Sequence, residues 1–250
     1  MALHRRDLLL GSITAGAAAL GIALLRRSPM DDTPTDLICA ALGQTLADVA
    51  AASSYPFDFR TLQDDDLITV GQPVKFRYAG AHGFDLPPTR FIGLTATAAL
   101  VTAIDMSPQL NYLDAASAMA LADHVAAQAT AAGWRTISGG ADVIGREELA
   151  VLMTDTSLPT ETSWHIALLA LETARLLFRL RRMHPAGGYA DRALFLLNLQ
   201  WRDDLLADCA DKIAADLRRE DGLPTDRWRH IDLNLYAPRV VRALRRMAHP

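Results

Sequence analysis

The sequence predicts an α+β protein in three parts: an N-terminal transmembrane helix over residues 1–30, a small antiparallel sheet with a covering helix over 31–145, and a helical half over 146–250 built on an antiparallel helix hairpin. Three observations predict it. Residues 8–25 form an apolar run of eighteen residues without a charge, with an arginine pair on each side. Two stretches rich in β-branched and aromatic residues, LITVGQPVKFRYA (67–79) and RFIGLTATAALVTAIDM (90–106), precede an alanine-rich stretch at helical spacing. Beyond residue 160, Leu194, Leu197, Trp201, Leu205, Cys209, Ile213 and Leu217 recur on one helical seam. With 250 residues, half of them apolar, the chain is long enough to bury a core.

The N-terminal run comes first. At about 1.5 Å per helical residue it reaches roughly 27 Å, enough for a hydrocarbon core. A buried helix of a soluble protein is disfavoured, because such helices rarely lack a polar face. Arg5-Arg6-Asp7-Leu8-Leu9, followed by a weakly hydrophobic stretch carrying Gly11, Gly16 and Gly21, is similar to the core of twin-arginine export signals. The resemblance covers fewer than ten residues and reaches no further into the chain. It implies an export role for Arg5 and Arg6. The small residues Ala17, Ala18 and Ala19 lie inside the run and no small-residue cleavage site follows it, which favours an uncleaved anchor. Arginine pairs flank both ends, so the positive-inside rule alone sets no orientation. The resemblance, with His4 and the amino terminus on the first flank, places the body on the periplasmic side of a bacterial inner membrane. A start at Met30 is the alternative, and would give a chain without the run.

The body follows in order. Residues 35–53 carry Leu37, Ala40, Ala41, Ala47 and Ala50 at helical spacing, with Asp36 in the first turn. The aspartates 64–66 precede the two extended stretches, of which 90–106 is long enough to fold into two strands about its small residues. Residues 112–133 read as a helix stopped by Gly133, and WRTIS (134–138) as a short strand. Helices are then expected over 160–183 and 189–219, joined by a turn at HPAGG (184–188), with a last short helix over 238–247 that starts at Pro238.

Charge is unevenly spread: +3 over residues 1–27, −10 over 28–159 and +3 over 160–250. Cys39 and Cys209 are too few and too far apart for a cysteine-built zinc site. Outside the cytoplasm they could close one long disulfide loop; inside it they read as small buried hydrophobes.

Four groups of residues could carry chemistry. His82 and Asp85 in GAHGFD have the arrangement of a general base with an orienting carboxylate, against the plainer reading of a solvated hairpin turn. His165, Glu172, His184 and His230 lack the three- or four-residue ligand spacing of a helical metal site, and Glu172 is expected instead to pair with Arg175 or Arg179. The aspartates 64–66 lack the pattern of a calcium loop, and no glycine-rich phosphate loop occurs. No metal and no cofactor are expected. In PRVVRALRRM, Arg239, Arg242, Arg245 and Arg246 oppose Val240, Val241, Leu244 and Met247, a small basic amphipathic helix suited to an acidic protein partner, to anionic lipid, or to the chain's own acidic middle. Twelve acidic against fifteen basic residues beyond residue 159 is far from the footprint of a nucleic-acid binder. These readings point to an interaction or assembly module of the bacterial envelope, held to the membrane through residues 8–25 and not an enzyme. The competing reading is an exported hydrolase or metal-dependent enzyme with its site at His82 and Asp85.

Overall fold

An alternation of period two, not a helical spacing, governs residues 174–183 and 194–202. In ARLLFRLRRM the buried Leu176, Phe178 and Leu180 take one side while Arg175, Arg179 and Arg181 take the other. In LFLLNLQWR the buried side is Phe195, Leu197, Leu199 and Trp201. Successive side chains of an extended chain face opposite ways, so each stretch can cover a core with one row and meet solvent with the next. Both are strands, which corrects the expected helix hairpin of the C-terminal half.

The computed structural model describes residues 34–57, 67–70, 72–137, 143–155, 157–159, 161–183, 193–222 and 230–248. The apolar run 8–25 with Arg5 and Arg6, the aspartates 64–66 and the turn 184–188 lie outside the described residues. The described elements run β1 (Leu37–Ala40), α1 (Leu46–Ala52), β2 (Leu67–Val70), β3 (Val74–Tyr78), β4 (Phe84–Thr89), β5 (Phe91–Thr97) and β6 (Leu100–Ser107). There follow α2 (Ala115–Ala131), β7 (Arg135–Thr136), α3 (Arg146–Thr154), β8 (Ser163–Leu171), β9 (Ala174–Met183), β10 (Leu194–Arg202), α4 (Asp204–Glu220) and α5 (His230–Ala248). No helix among the described residues is long and apolar enough to cross a membrane, so the transmembrane part of the expected fold is not found among them. Two of the longest described helices, α4 and α5, each carry charged residues along one side.

Instead of one small antiparallel sheet the described residues form two sheets. The smaller has the order β1-β3-β4, with β1 parallel to β3. The larger has seven strands, β2-β5-β6-β10-β9-β8-β7, with every neighbouring pair antiparallel. Its β6–β10 ladder joins Met106 to Leu199 and Ile104 to Trp201, so the boundary expected at residue 145 runs through one hydrogen-bonded sheet. Residues 34–250 form a single compact unit.

Residues 90–106 do fold into two strands. Their hairpin turns at Ala98 and Ala99, with φ of 51° and 62°, the left-handed pair that a two-residue turn between twisted strands requires. Glu172, expected on a helix, sits at φ 52° in the two-residue turn between β8 and β9. The helix expected over 35–53 is split: LICA pairs with β3, and α1 begins only after Thr45, which forms a capping box with Asp48. Pro238 lies inside α5 rather than at its start.

The main core lies between the two sheets and under α2. Phe76 and Tyr78 of the small sheet meet Trp201 of the large one, with Tyr78 stacked on Trp201 at 5.6 Å and an interplanar angle of 16°. Ala122, Val125 and Ala129 of α2 belong to the same cluster, and Leu149 and Met153 of α3 pack with Trp164, Leu180 and Phe195. On the other side, Leu100 and Ala98 at the tip of the β5–β6 hairpin pack against Ala210 and Ala214 of α4 and Val240 of α5. Cys39 and Cys209 are free thiols, each half-buried.

Candidate functional site

The loop between β3 and β4 carries His82, and Asp85 follows as the second residue of β4; both are exposed. His82 Nδ1 lies 2.7 Å from the carbonyl oxygen of Ala132 at the C-terminal end of α2. A carbonyl only accepts, so this nitrogen carries the proton and the ring satisfies one of the helix's last acceptors. In return the indole Nε1 of Trp134 donates to the His82 carbonyl at 3.3 Å. Asp85 turns to its cross-strand partner Arg77, which donates from Nε to Oδ1 at 2.7 Å and from Nη2 to Oδ2 at 3.1 Å. That fork holds the Asp85 carboxyl below its ordinary range. The two side chains that a base and its orienting carboxylate would bring together are each committed elsewhere: one ties the loop to α2, the other ties β3 to β4.

The histidines and glutamate weighed as metal ligands are also dispersed. His165 lies on β8 across from Arg179, and Glu172 is at the β8–β9 turn, where its backbone carbonyl accepts from Arg175 at 3.1 Å. His230 opens α5, and His184 lies outside the described residues. Among the described residues no three His, Cys, Asp or Glu side chains are grouped as metal ligands would be.

The basic end divides in two. Arg239 is half-buried and paired with Asp221 at 2.5 Å and Glu220 at 3.8 Å, so α5 docks by charge on the end of α4 rather than on the acidic residues before 159. Val240 and Ala237 are buried beneath it. Arg242, Arg245 and Arg246 are exposed beside Met247, and among the described residues they take part in no ion pair.

A third set of charges includes the arginine-rich stretch 175–184 that the sequence shows, but its grouping with Asp105, Gln200 and Arg202 exists only once β6, β9 and β10 are paired. The row of each strand that points away from the main core is half-buried: Leu177, Arg179 and Arg181 on β9, and Leu196, Asn198, Gln200 and Arg202 on β10, with Arg175 exposed at the end. Register sets Arg175 directly opposite Arg202 and Arg179 opposite Asn198. Asp105 of β6 stands opposite Gln200 and accepts from its amide nitrogen at 2.6 Å. Burial pushes the Asp105 carboxyl up, against the pull of Arg202, the Gln200 hydrogen bond and Arg179. Burial likewise pushes Arg179 down, offset in part by Asp105 and reinforced by Arg202 and Arg181. Arg181 is paired with Glu161 at 3.0 Å. The Nε of Arg202 is buried without a hydrogen-bond partner. The only sequence signal for this cluster is the alternation of arginine with Leu and Phe in residues 175–181.

No family model matches the chain, and neither a curated protein nor a solved structure does.

Proposed function

We propose that the protein is a non-enzymatic interaction or assembly module that engages an acidic protein partner through α5. One observation carries the reading: of the four arginines on the polar side of this helix, Arg239 is spent on Asp221 and Glu220, whereas Arg242, Arg245 and Arg246 are exposed and carry no ion pair among the described residues. An internal ion pair and the buried Val240 fix the helix on the body, and a fixed helix presents its remaining charges at a defined spacing. Preorganised positive charge recognises a negative surface and speeds the encounter with it. The separate commitments of His82 and Asp85 speak in the same direction, since neither is available to the other as acid or base.

The test uses the full chain and an immobilised poly-glutamate matrix. Changing Arg242, Arg245 and Arg246 together to Gln leaves the unfolding midpoint nearly unchanged, because exposed charges contribute little to folding. The same change lowers the salt concentration that elutes the protein. Elution at the same salt as the unaltered chain would refute the reading.

A further inference from the structure

The outward face of β8–β10 raises a separate question of what neutralises its arginines. Like charges placed directly opposite on antiparallel strands are destabilising, yet Arg175 and Arg202 hold that position. Arg179 is half-buried between them and Arg181, and the guanidinium of Arg202 keeps a buried Nε–H with no acceptor. Among the described residues the acids do not balance the row. Glu161 is taken by Arg181, and Asp105 is held by Gln200 without coming within ion-pair distance of Arg179 or Arg202. Interspersed with these charges are the half-buried Leu177 and Leu196, and Leu168 of β8 directly across from Leu177.

We infer that this face is a docking surface for an acidic amphipathic segment of a partner protein, whose carboxylates meet Arg175, Arg179 and Arg202 while its apolar side covers Leu168, Leu177 and Leu196. Three of the four described sheet edges direct a partner to the face rather than to an added strand. The outer N–H groups of β1 are taken by side-chain oxygens, Leu37 by Ser54 at 2.8 Å and Cys39 by Ser53 at 3.0 Å. The edge strand β4 carries Pro87 and Pro88, and β7 is only two residues long. Short, proline-bearing or capped edges resist the addition of a strand. A second copy of the chain packed face to face would oppose arginine row to arginine row, which charge forbids. A nucleic acid would neutralise the arginines but has nothing to bury the leucines, whereas an acidic amphipathic helix satisfies both.

Binding is measured with the full chain and a synthetic helical peptide of about twenty residues, long enough to be helical, with leucine along one side and glutamate along the other. The controls are the same peptide with glutamine for glutamate, and a single-stranded oligonucleotide of equal charge. The expected result is saturable binding of the glutamate peptide that weakens with salt. Affinity should fall about tenfold or more in Arg179→Gln/Arg202→Gln, since each charge-assisted hydrogen bond lost is worth about that. Because those two arginines are half-buried, Arg175→Glu at the exposed end serves as a second variant, and it should weaken the same peptide while leaving the circular dichroism spectrum unchanged. Arg242→Gln/Arg245→Gln/Arg246→Gln should bind this peptide undiminished, which separates the sheet face from α5. Equal binding of the glutamine peptide, preference for the oligonucleotide, or an affinity indifferent to Arg175→Glu would each overturn the inference.

Discussion

Replacing Trp201 by Ala tests the junction of the two sheets. The side chain is fully buried on β10 and surrounded by rings of the smaller sheet: Tyr78 stacked at 5.6 Å, Phe76 at 5.9 Å and Phe84 at 6.4 Å. Truncating a buried Trp to Ala costs about 3–5 kcal/mol through lost transfer energy and the cavity left behind. Each well-placed aromatic pair adds about 0.5–1.5 kcal/mol to the area term. One feature pulls the other way. The indole Nε1–H is buried with no hydrogen-bond partner, a cost of about 1–3 kcal/mol that the mutant escapes. The net expectation stays near the lower half of the range, about 3–4 kcal/mol by that reasoning. Trp201→Phe isolates the feature: it keeps a ring against Tyr78 and removes the orphaned donor, so it should cost about 1 kcal/mol or less. The assay is equilibrium denaturation followed by far-ultraviolet circular dichroism, with an unchanged denaturant slope as the check that the unfolding reaction is the same. A loss below about 0.5 kcal/mol for Trp201→Ala, the level of a surface substitution, would show that the two sheets do not meet at this ring. A Trp201→Phe loss as large as that of Trp201→Ala would show that the indole N–H is bonded.

Gly133→Ala should destabilise the fold by more than about 1 kcal/mol, because the residue sits at φ +103° and a Cβ there would stand 2.8 Å from His82 Nδ1. Adding His82→Ala should recover the steric part and leave the backbone part, a non-additivity read from a double-mutant cycle in the same denaturation assay. Tyr78 sets an alkaline limit: burial pushes its phenol up to about 12, helped by Asp203 and opposed by a hydrogen bond from the Leu42 backbone. An unfolded tyrosine ionises near 10 while the folded one stays protonated, so its contribution is constant below pH 10 and turns against the folded state between 10 and 12. At about 1.4 kcal/mol for each tenfold difference, the loss approaches ~2.7 kcal/mol. Tyr78→Phe should remove that part of the alkaline slope, and an unchanged slope between pH 10 and 12 would refute the assignment.

Local signals in the first half of the body are legible at two places and misleading at residues 35–53, where a strand precedes the helix. The hairpin over 90–106 is legible because its small residues sit between two β-rich runs, and Gly133 marks the end of α2 because only a residue tolerant of φ +103° continues the chain there. The second half misleads for a physical reason. Leu194, Leu197 and Trp201 are three and four apart, as on a helix, but Phe195, Leu197, Leu199 and Trp201 are two apart, as on a strand. The first spacing runs on into the half-buried Cys209, Ile213 and Leu217 of α4, beside its buried Ala210 and Ala214, which lends β10 a helical appearance it does not have, although Leu205 of that seam is exposed. In residues 174–183 the arginines mislead as well: Arg175, Arg179 and Arg182 are four and three apart, as on one side of a helix, whereas in the strand Arg175, Arg179 and Arg181 share a row and Arg182 is buried on the other.

The same distinction decides what the sequence could say about a site. His82 and Asp85 stand out in a linear reading because they are close along the chain, yet proximity along a β-hairpin is weak evidence of shared chemistry: the two are taken by partners 50 and 8 residues away. The cluster on the larger sheet has the opposite character. Asp105 and Gln200 are 95 residues apart and meet because β6 and β10 are neighbours, a pairing fixed by which rows of Ile, Leu and Trp must face the core. A register shift of one residue in β10 would turn Trp201 outward and Arg202 inward, so the core energy of the apolar row holds the arginine row in place on the other side. The charged face is thereby a consequence of the packed one. Its chemistry becomes legible only after the pairing of the strands is known, and Arg175, Arg179 and Arg202, with one nearby carboxylate in Asp105, are what that pairing leaves for a partner to answer.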